Sequence, residues 1–276
     1  MPPQPPLVTS PQPKIGVFDS GFGGLTVLQE LRKVLPGADY LYFGDTAHLP
    51  YGAKSVRTVA KYAIASARFL EEHGIAMLVI ACNTATALAL DEIREAVSVP
   101  VVGVVEPGSQ RAARISKTKK AAVLATEATV SSHAYQKALQ QLGLEAVEKA
   151  CPLFVPLVEE GWVEHPVTEQ VAHIYVDQIF RSDAAARDTD VLLLGCTHYP
   201  LLRPLLRRIV PAQVEIVDSA ESTAAQVAEV LGKNCGQGGT GSLRCYATDS
   251  VEKFRRLGER FLGCPIENIE LIDIEK

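Results

Sequence analysis

From Lys14 onward, short and almost wholly apolar runs alternate with longer stretches of 3.6-residue period, and this alternation leaves few folds open. The apolar runs fall at 15–19, 40–44, 77–81, 99–105, 121–126, 191–195, 214–218, 243–247 and 269–274. Helical periodicity occupies 25–35, 56–73, 85–97, 130–142, 167–180 and 220–231. Strands this apolar, separated by helices, belong to parallel sheets covered on both faces. The chain is therefore expected to be α/β, and its 276 residues suit two domains, each with a mostly parallel sheet flanked by helices. Pro107-Gly108 and Asp218-Ser219 are the candidate crossing points, with Gly236 to Gly241 as a further glycine-rich loop. They give a first domain of 14–107 plus 218–276 and a second of 108–217.

Charge narrows the partners. Lys and Arg number 27 against 32 Asp and Glu, a net of −5 with no basic stripe, so no direct nucleic-acid binding is expected. The cluster Lys117, Lys119, Lys120 reads as a solvated loop. No apolar run is long enough to span a membrane. Six of the 17 prolines fall within 1–13, which lacks the apolar core of a secretory signal and reads as an extended, poorly ordered tail. The expected compartment is then the cytoplasm, where Cys82, Cys151, Cys196, Cys235, Cys245 and Cys264 stay reduced. None forms a C-x-x-C pair, so no structural metal site is expected.

Two segments of the chain resemble each other. M-L-V-I-A-C-N-T-A-T-A-L (77–88) and V-L-L-L-G-C-T-H-Y-P-L-L (191–202) each run from a buried strand through a small residue to a cysteine and then to polar residues opening a helix. A weaker echo links Val17-Phe18-Asp19-Ser20 to Val217-Asp218-Ser219. In open α/β sheets ligands bind beyond the carboxyl ends of strands, where Cys82 and Cys196 both fall. A helix N-terminus there lowers a thiol's pKa. The plain alternative for each is a small buried hydrophobe, the reading that stands for the other four cysteines.

Asp19-Ser20-Gly21-Phe22-Gly23-Gly24 closes the first strand, but Thr26 stands where a dinucleotide fingerprint needs glycine, and no Gly-Lys-Ser/Thr phosphate cradle follows. Neither a nucleotide cofactor nor a metal is expected. Two thiols with carboxylate-binding donors (Asn83-Thr84 after one, Thr197-His198 after the other) suit inversion of a carbon bearing an acidic hydrogen. A base is needed on one face and an acid on the other, and cysteine reaches both states at accessible pH. Asp19 and His198 are placed to orient or relay protons beside the thiols. Ser20 also suits a helix cap.

At this level of detail the chain resembles the cofactor-independent glutamate racemases of bacterial cell-wall synthesis. The likeness is carried by I-G-V-F-D-S-G-F-G-G-L-T-V-L (15–28), G-D-T-A-H-L-P-Y-G (44–52), A-C-N-T-A-T-A (81–87), V-E-P-G (105–108), C-P-L-F-V-P-L-V-E-E-G (151–161) and L-L-G-C-T-H-Y-P-L-L (193–202). The resemblance implies an active site in the cleft between two α/β domains, no pyridoxal phosphate or metal, and D-glutamate supplied to peptidoglycan. It implies Cys82 and Cys196 as the proton donors and acceptors, assisted by Asp19, Glu159 and His198. The implied substrate contacts are Asp19, Ser20, Pro50, Tyr51, Gly52, Asn83, Thr84, Thr126, Thr129, Thr197 and His198. Ala125 and Ala128 stand where the family often has glycine. A homodimer and, in some members, association with DNA gyrase are also implied. Alternatives are an aspartate or hydantoin racemase, a one-cysteine decarboxylase, and a hydrolase using Cys196 with His198. The second cysteine weighs against the last two.

Overall fold

The computed structural model describes residues 12–181, 188–232, 235 and 239–274. The proline-rich residues 1–11 and residues 236–238 of the glycine-rich loop lie outside the described residues, and with them the expectations for those segments. In chain order the first half runs β1 (Lys14–Asp19), α1 (Leu25–Val34), β2 (Asp39–Gly44), a 3₁₀ turn (Tyr51–Ala53), α2 (Val56–Glu72), β3 (Met77–Ile80), α3 (Asn83–Ala96), β4 (Val101–Gly103) and α4 (Val105–Ile115). It continues with β5 (Lys120–Ala125), α5 (Glu127–Ser132), α6 (Ala134–Gln141), β6 (Glu145–Ala150), α7 (Phe154–Glu159) and α8 (Pro166–Phe180). Then come β7 (Val191–Gly195), a 3₁₀ turn (Tyr199–Leu202), α9 (Arg203–Ile209), β8 (Glu215–Asp218), α10 (Ala220–Leu231), β9 (Leu243–Ala247), α11 (Val251–Leu262) and β10 (Ile269–Leu271).

Two parallel sheets result, as the alternation requires. One has six strands in the order β10-β9-β2-β1-β3-β4, the other four in the order β6-β5-β7-β8. Phe18 stands opposite both Phe43 and Ile80, so β1, β2 and β3 end nearly level and Asp19 emerges beside Gly44. Helices α2 and α3 cover one face of the larger sheet through Val59, Ala63, Leu70, Ala85 and Ile93. On α2 these positions follow the 3.6 period, and Ser55 starts the helix by accepting the Thr58 N–H. On the other face, α1 and α11 bring Leu25, Leu28, Phe254 and Leu257 into a core that continues through Ala224 and Val227 of α10 to Leu192 and Leu194 of the smaller sheet and Phe154 of α7. Val105, Ala112, Tyr135 and Leu139 of α4 and α6 close the far side of that smaller sheet.

Three local departures from the periodicity have physical causes. The run at 99–105 is strand only to Gly103, and Val105 begins α4, so Pro107 and Gly108 lie inside a helix. A proline in the first turn is tolerated because no intrahelical partner awaits its missing N–H. The single helix expected over 130–142 is broken at His133, which adopts a left-handed conformation (φ 56°) and separates α5 from α6. Strand β6 (Glu-Ala-Val-Glu-Lys-Ala) escapes the apolar pattern because it is an edge strand, where charged side chains face water.

Candidate active site

The carboxyl ends of β1 and β3 meet those of β5 and β7. Asp19 ends β1 fully buried; its Oδ2 accepts the Gly21 N–H at 3.0 Å, while Oδ1 has no hydrogen-bond partner among the described residues. Burial raises its pKa above the usual carboxylate value, opposed by the His198 charge, the Gly24 and Gly21 N–H groups and the Thr197 side chain. Cys82, just beyond β3, caps α3, its Sγ accepting the Ala85 N–H at 3.4 Å and lying 3.6 Å from Ser20 Oγ.

Cys196 follows β7 and is also buried, but it precedes a 3₁₀ turn rather than a full helix. The expected lowering of the two thiol pKa values is not found. Burial pushes Cys82 up to about 12, with the Asp19 charge adding to it and hydrogen bonds from Ala85 and Ser20 opposing it. Burial likewise lifts Cys196 well above the ordinary thiol value, although the His198 and Tyr199 N–H groups pull the other way. Removing an anion from water outweighs a helix terminus here, because a few backbone N–H groups replace only part of a thiolate's hydration. The two thiols are close enough that charge on Cys82 also disfavours charge on Cys196.

His198 stands between Cys196 and the Glu159–Lys253 ion pair. Its Nδ1 is 4.0 Å from the Cys196 sulfur, and its Nε2 is 3.5 Å from Glu159 Oε1. Glu159 Oε2 in turn receives Lys253 Nζ at 3.3 Å, linking α7 to α11. Burial works to raise the Glu159 pKa, but His198 and Lys253 together overcome it and hold the carboxyl below its usual value. The imidazole packs against the rings of Phe22 and Phe261, at centroid distances of 5.8 and 5.0 Å, in a cluster of three rings. A Cβ on Gly23 would overlap the Thr197 hydroxyl and this ring, so the β1–α1 loop approaches so closely only because residue 23 is glycine.

Hydroxyl and amide groups complete the walls. Thr84, Thr126 and Thr129 hydrogen-bond one another at 2.9 to 3.3 Å across the two sheets, and Thr126 also caps α5 through the Thr129 N–H. Asn83 Nδ2 donates to the Tyr135 hydroxyl at 2.6 Å. The Tyr51–Ala53 turn packs on α5, with Gly52 against the Thr126 side chain and Pro50 exposed beside it. Tyr51 is buried; its hydroxyl donates to Asp45 Oδ2 at 2.6 Å, which leaves the backbone as its free recognition surface.

Sequence reasoning passed over Asp45, Tyr135 and Lys253. Asp45 accepts from Tyr51 and Thr248 and pairs with His48, a network hinted at by the Asp45-x-x-His48-x-x-Tyr51 spacing. Lys253 sits 94 residues from Glu159 and carried no signal. All six cysteines are free thiols, and among the described residues no group of three or more His, Cys, Asp or Glu could hold a metal ion. No helix among them is long and apolar enough to cross a membrane.

The family model for Asp/Glu/hydantoin racemases matches residues 23–227, which contain both cysteines and the residues between them. The chain belongs to the Asp/Glu/hydantoin racemase family. Within that family it is similar to the glutamate racemase of Koribacter versatilis (strain Ellin345), at 56% identity over 287 residues covering 95% of this chain and 98% of the relative. The racemase fold is shared with the crystal structure of glutamate racemase from Francisella tularensis in complex with D-glutamate (TM-score 0.87, 34% identity, 96% of this chain and 98% of that one). It is shared equally with the Thermus thermophilus glutamate racemase in complex with β-chloro-D-alanine (TM-score 0.85, 43% identity, 96% and 99% covered).

Proposed function

We propose that the chain interconverts L- and D-glutamate by moving a proton between two opposed thiols and the α-carbon. The observation that carries this reading is the pair of buried cysteines, Cys82 and Cys196, at the carboxyl ends of strands from different sheets, each beside a carboxylate or imidazole. One sulfur acts as thiolate and takes the α-proton; the C–H electron pair remains on the α-carbon as carbanion character. The opposite thiol gives its proton to the other face, so the enzyme ends with the two charge states exchanged. Burial disfavours charge on both sulfurs, and the substrate's α-ammonium places a positive charge beside whichever of them is the thiolate. His198, fixed by Glu159, stands beside Cys196, and Asp19 stands beside Cys82.

The substrate's carboxylates take the donors that remain: the backbone of Tyr51 and Gly52, and the hydroxyls of Ser20, Thr84, Thr126 and Thr129. Fixed donors in a dry site stabilise the developing negative charge at low reorganisation cost. On this reading the lobes built on the two sheets are 14–107 plus 218–276 and 108–217, the reaction lies between them, and the enzyme works in the cytoplasm as a homodimer. Its D-glutamate feeds peptidoglycan synthesis. The relatives' names and the D-glutamate complex of the Francisella tularensis enzyme support glutamate over aspartate. Purified protein given D- and L-glutamate, with both aspartates alongside and circular dichroism as readout, tests this: glutamate should lose optical activity from either side. Turnover of aspartate alone would overturn the substrate assignment.

A further inference from the structure

We propose that Tyr135 is a positioning residue that fixes the Asn83 side-chain amide with its nitrogen toward α6 and its oxygen presented to the substrate's α-ammonium. This rests on the racemase reading above. Asn83 is the residue after Cys82 and is 2% exposed. Its Nδ2 is committed to the Tyr135 hydroxyl at 2.6 Å, while its Oδ1 is buried and has no hydrogen-bond partner among the described residues. The amide is planar, so pinning the nitrogen also fixes where the oxygen points. A buried carbonyl oxygen needs an N–H or O–H donor. Glutamate's two carboxylates only accept, so the ammonium is the one group of the substrate that satisfies Oδ1.

Tyr135 is itself held for this task. It is completely buried in the first turn of α6, just after the left-handed His133 that breaks the expected long helix. Ser219, the last residue of the Val217-Asp218-Ser219 echo, lies beside its hydroxyl. Burial raises the phenol's pKa, so the hydroxyl keeps its proton and accepts from Asn83 Nδ2 as a neutral group. The ring lies against Gly195: a Cβ there would come 2.9 Å from Tyr135 Cε2. The residue before Cys196 is thus small enough for the ring to reach Asn83, the residue after Cys82, and one side chain touches both cysteine turns.

Binding of D-glutamate and of glutarate, which keeps both carboxylates but lacks the amine, separates positioning from structure. In Tyr135→Phe the amide is free to turn its N–H groups toward the ammonium. D-Glutamate should then bind about ten- to a hundredfold more weakly, the value of one hydrogen bond to a charged group, while glutarate binds as before. Added to Asn83→Ala, Tyr135→Phe should change the glutamate-to-glutarate ratio no further. Equal weakening of both ligands, or no change in either, overturns the proposal. A parent protein that racemises glutamate yet binds glutarate equally well also overturns it, whereas a parent that racemises nothing overturns the racemase reading instead. If Tyr135→Phe does not fold, the unmodified protein still decides. One Asn83 side-chain amide proton should resist solvent exchange with and without D-glutamate, and loss of that protection on binding would contradict the assignment.

Discussion

Lys253 and Glu159 form a 3.3 Å ion pair between α11, which packs with the larger sheet, and α7, which packs with the smaller one. The same carboxylate faces His198 on its other oxygen. The folded-state pKa of Glu159 lies below 4.5. Its contribution to stability is therefore complete above about pH 5 and is lost as the pH falls through the depressed value. Lys253→Met should move that acid limb upward and lower stability by no more than about 1 kcal/mol, because the lysine is 42% exposed and solvent screens the pair. Glu159→Gln should abolish this acid limb and alter the pH profile of turnover through His198. Chemical denaturation between pH 3 and 7 checks the first, and initial rates check the second.

The raised thiols make an alkaline prediction of opposite sign. With Cys82 near 12 in the folded chain and about 9.0 as its ordinary value, the folded state holds a proton that the unfolded state has released. Stability should be unaffected below about pH 9 and fall by about 1.4 kcal/mol per pH unit above it for each such thiol. Alkylation of Cys82 and Cys196 in substrate-free protein should be slow at neutral pH. Iodoacetamide labelling followed by mass spectrometry reads both; rapid labelling at pH 7 would contradict the burial argument.

Much of the scaffold was legible because its signals are local. The strand runs ending at Asp19 and Gly195 are buried on both faces, and the α2 and α10 periodicities fix helices without tertiary help. The two cysteine turns were legible for the same reason, as strand, small residue and thiol are contiguous. Their protonation was not, because sequence shows the helix start but not the depth of burial that outweighs it. Tyr135 and Lys253 were invisible as partners: each acts through a residue far along the chain, and only the folded strand order sets those distances. Strand β6 depends on its place at the sheet edge rather than on composition.

Thr126 does two jobs that substitution can separate. It caps α5 and joins Thr84 and Thr129 across the sheets. Thr126→Val keeps the shape and removes the hydroxyl, so the helix loses its cap at a cost of about 1 kcal/mol, and KM for glutamate should rise. Thr126→Ser restores the oxygen and should recover both. Thermal unfolding and steady-state kinetics on the two variants check this; a Val variant with unchanged KM would remove Thr126 from the binding surface.

The two-thiol mechanism predicts an asymmetry that racemisation itself hides. The equilibrium constant between enantiomers is one, so kcat/KM must stay equal in both directions for any variant. Cys82→Ser and Cys196→Ser should each lose about 10²- to 10⁴-fold in racemisation, since serine keeps the shape but is a poor base near neutral pH. Elimination of HCl from 3-chloroglutamate exposes the hidden difference, because it needs one base to take the α-proton while chloride leaves from the neighbouring carbon. The family resemblance implies Cys82 as base for the D-configured substrate and Cys196 for the L-configured one, so Cys82→Ser should release chloride only from the L-compound and Cys196→Ser only from the D-compound. A variant that eliminates from both configurations, or racemises glutamate at close to the parent rate, would contradict two opposed cysteines.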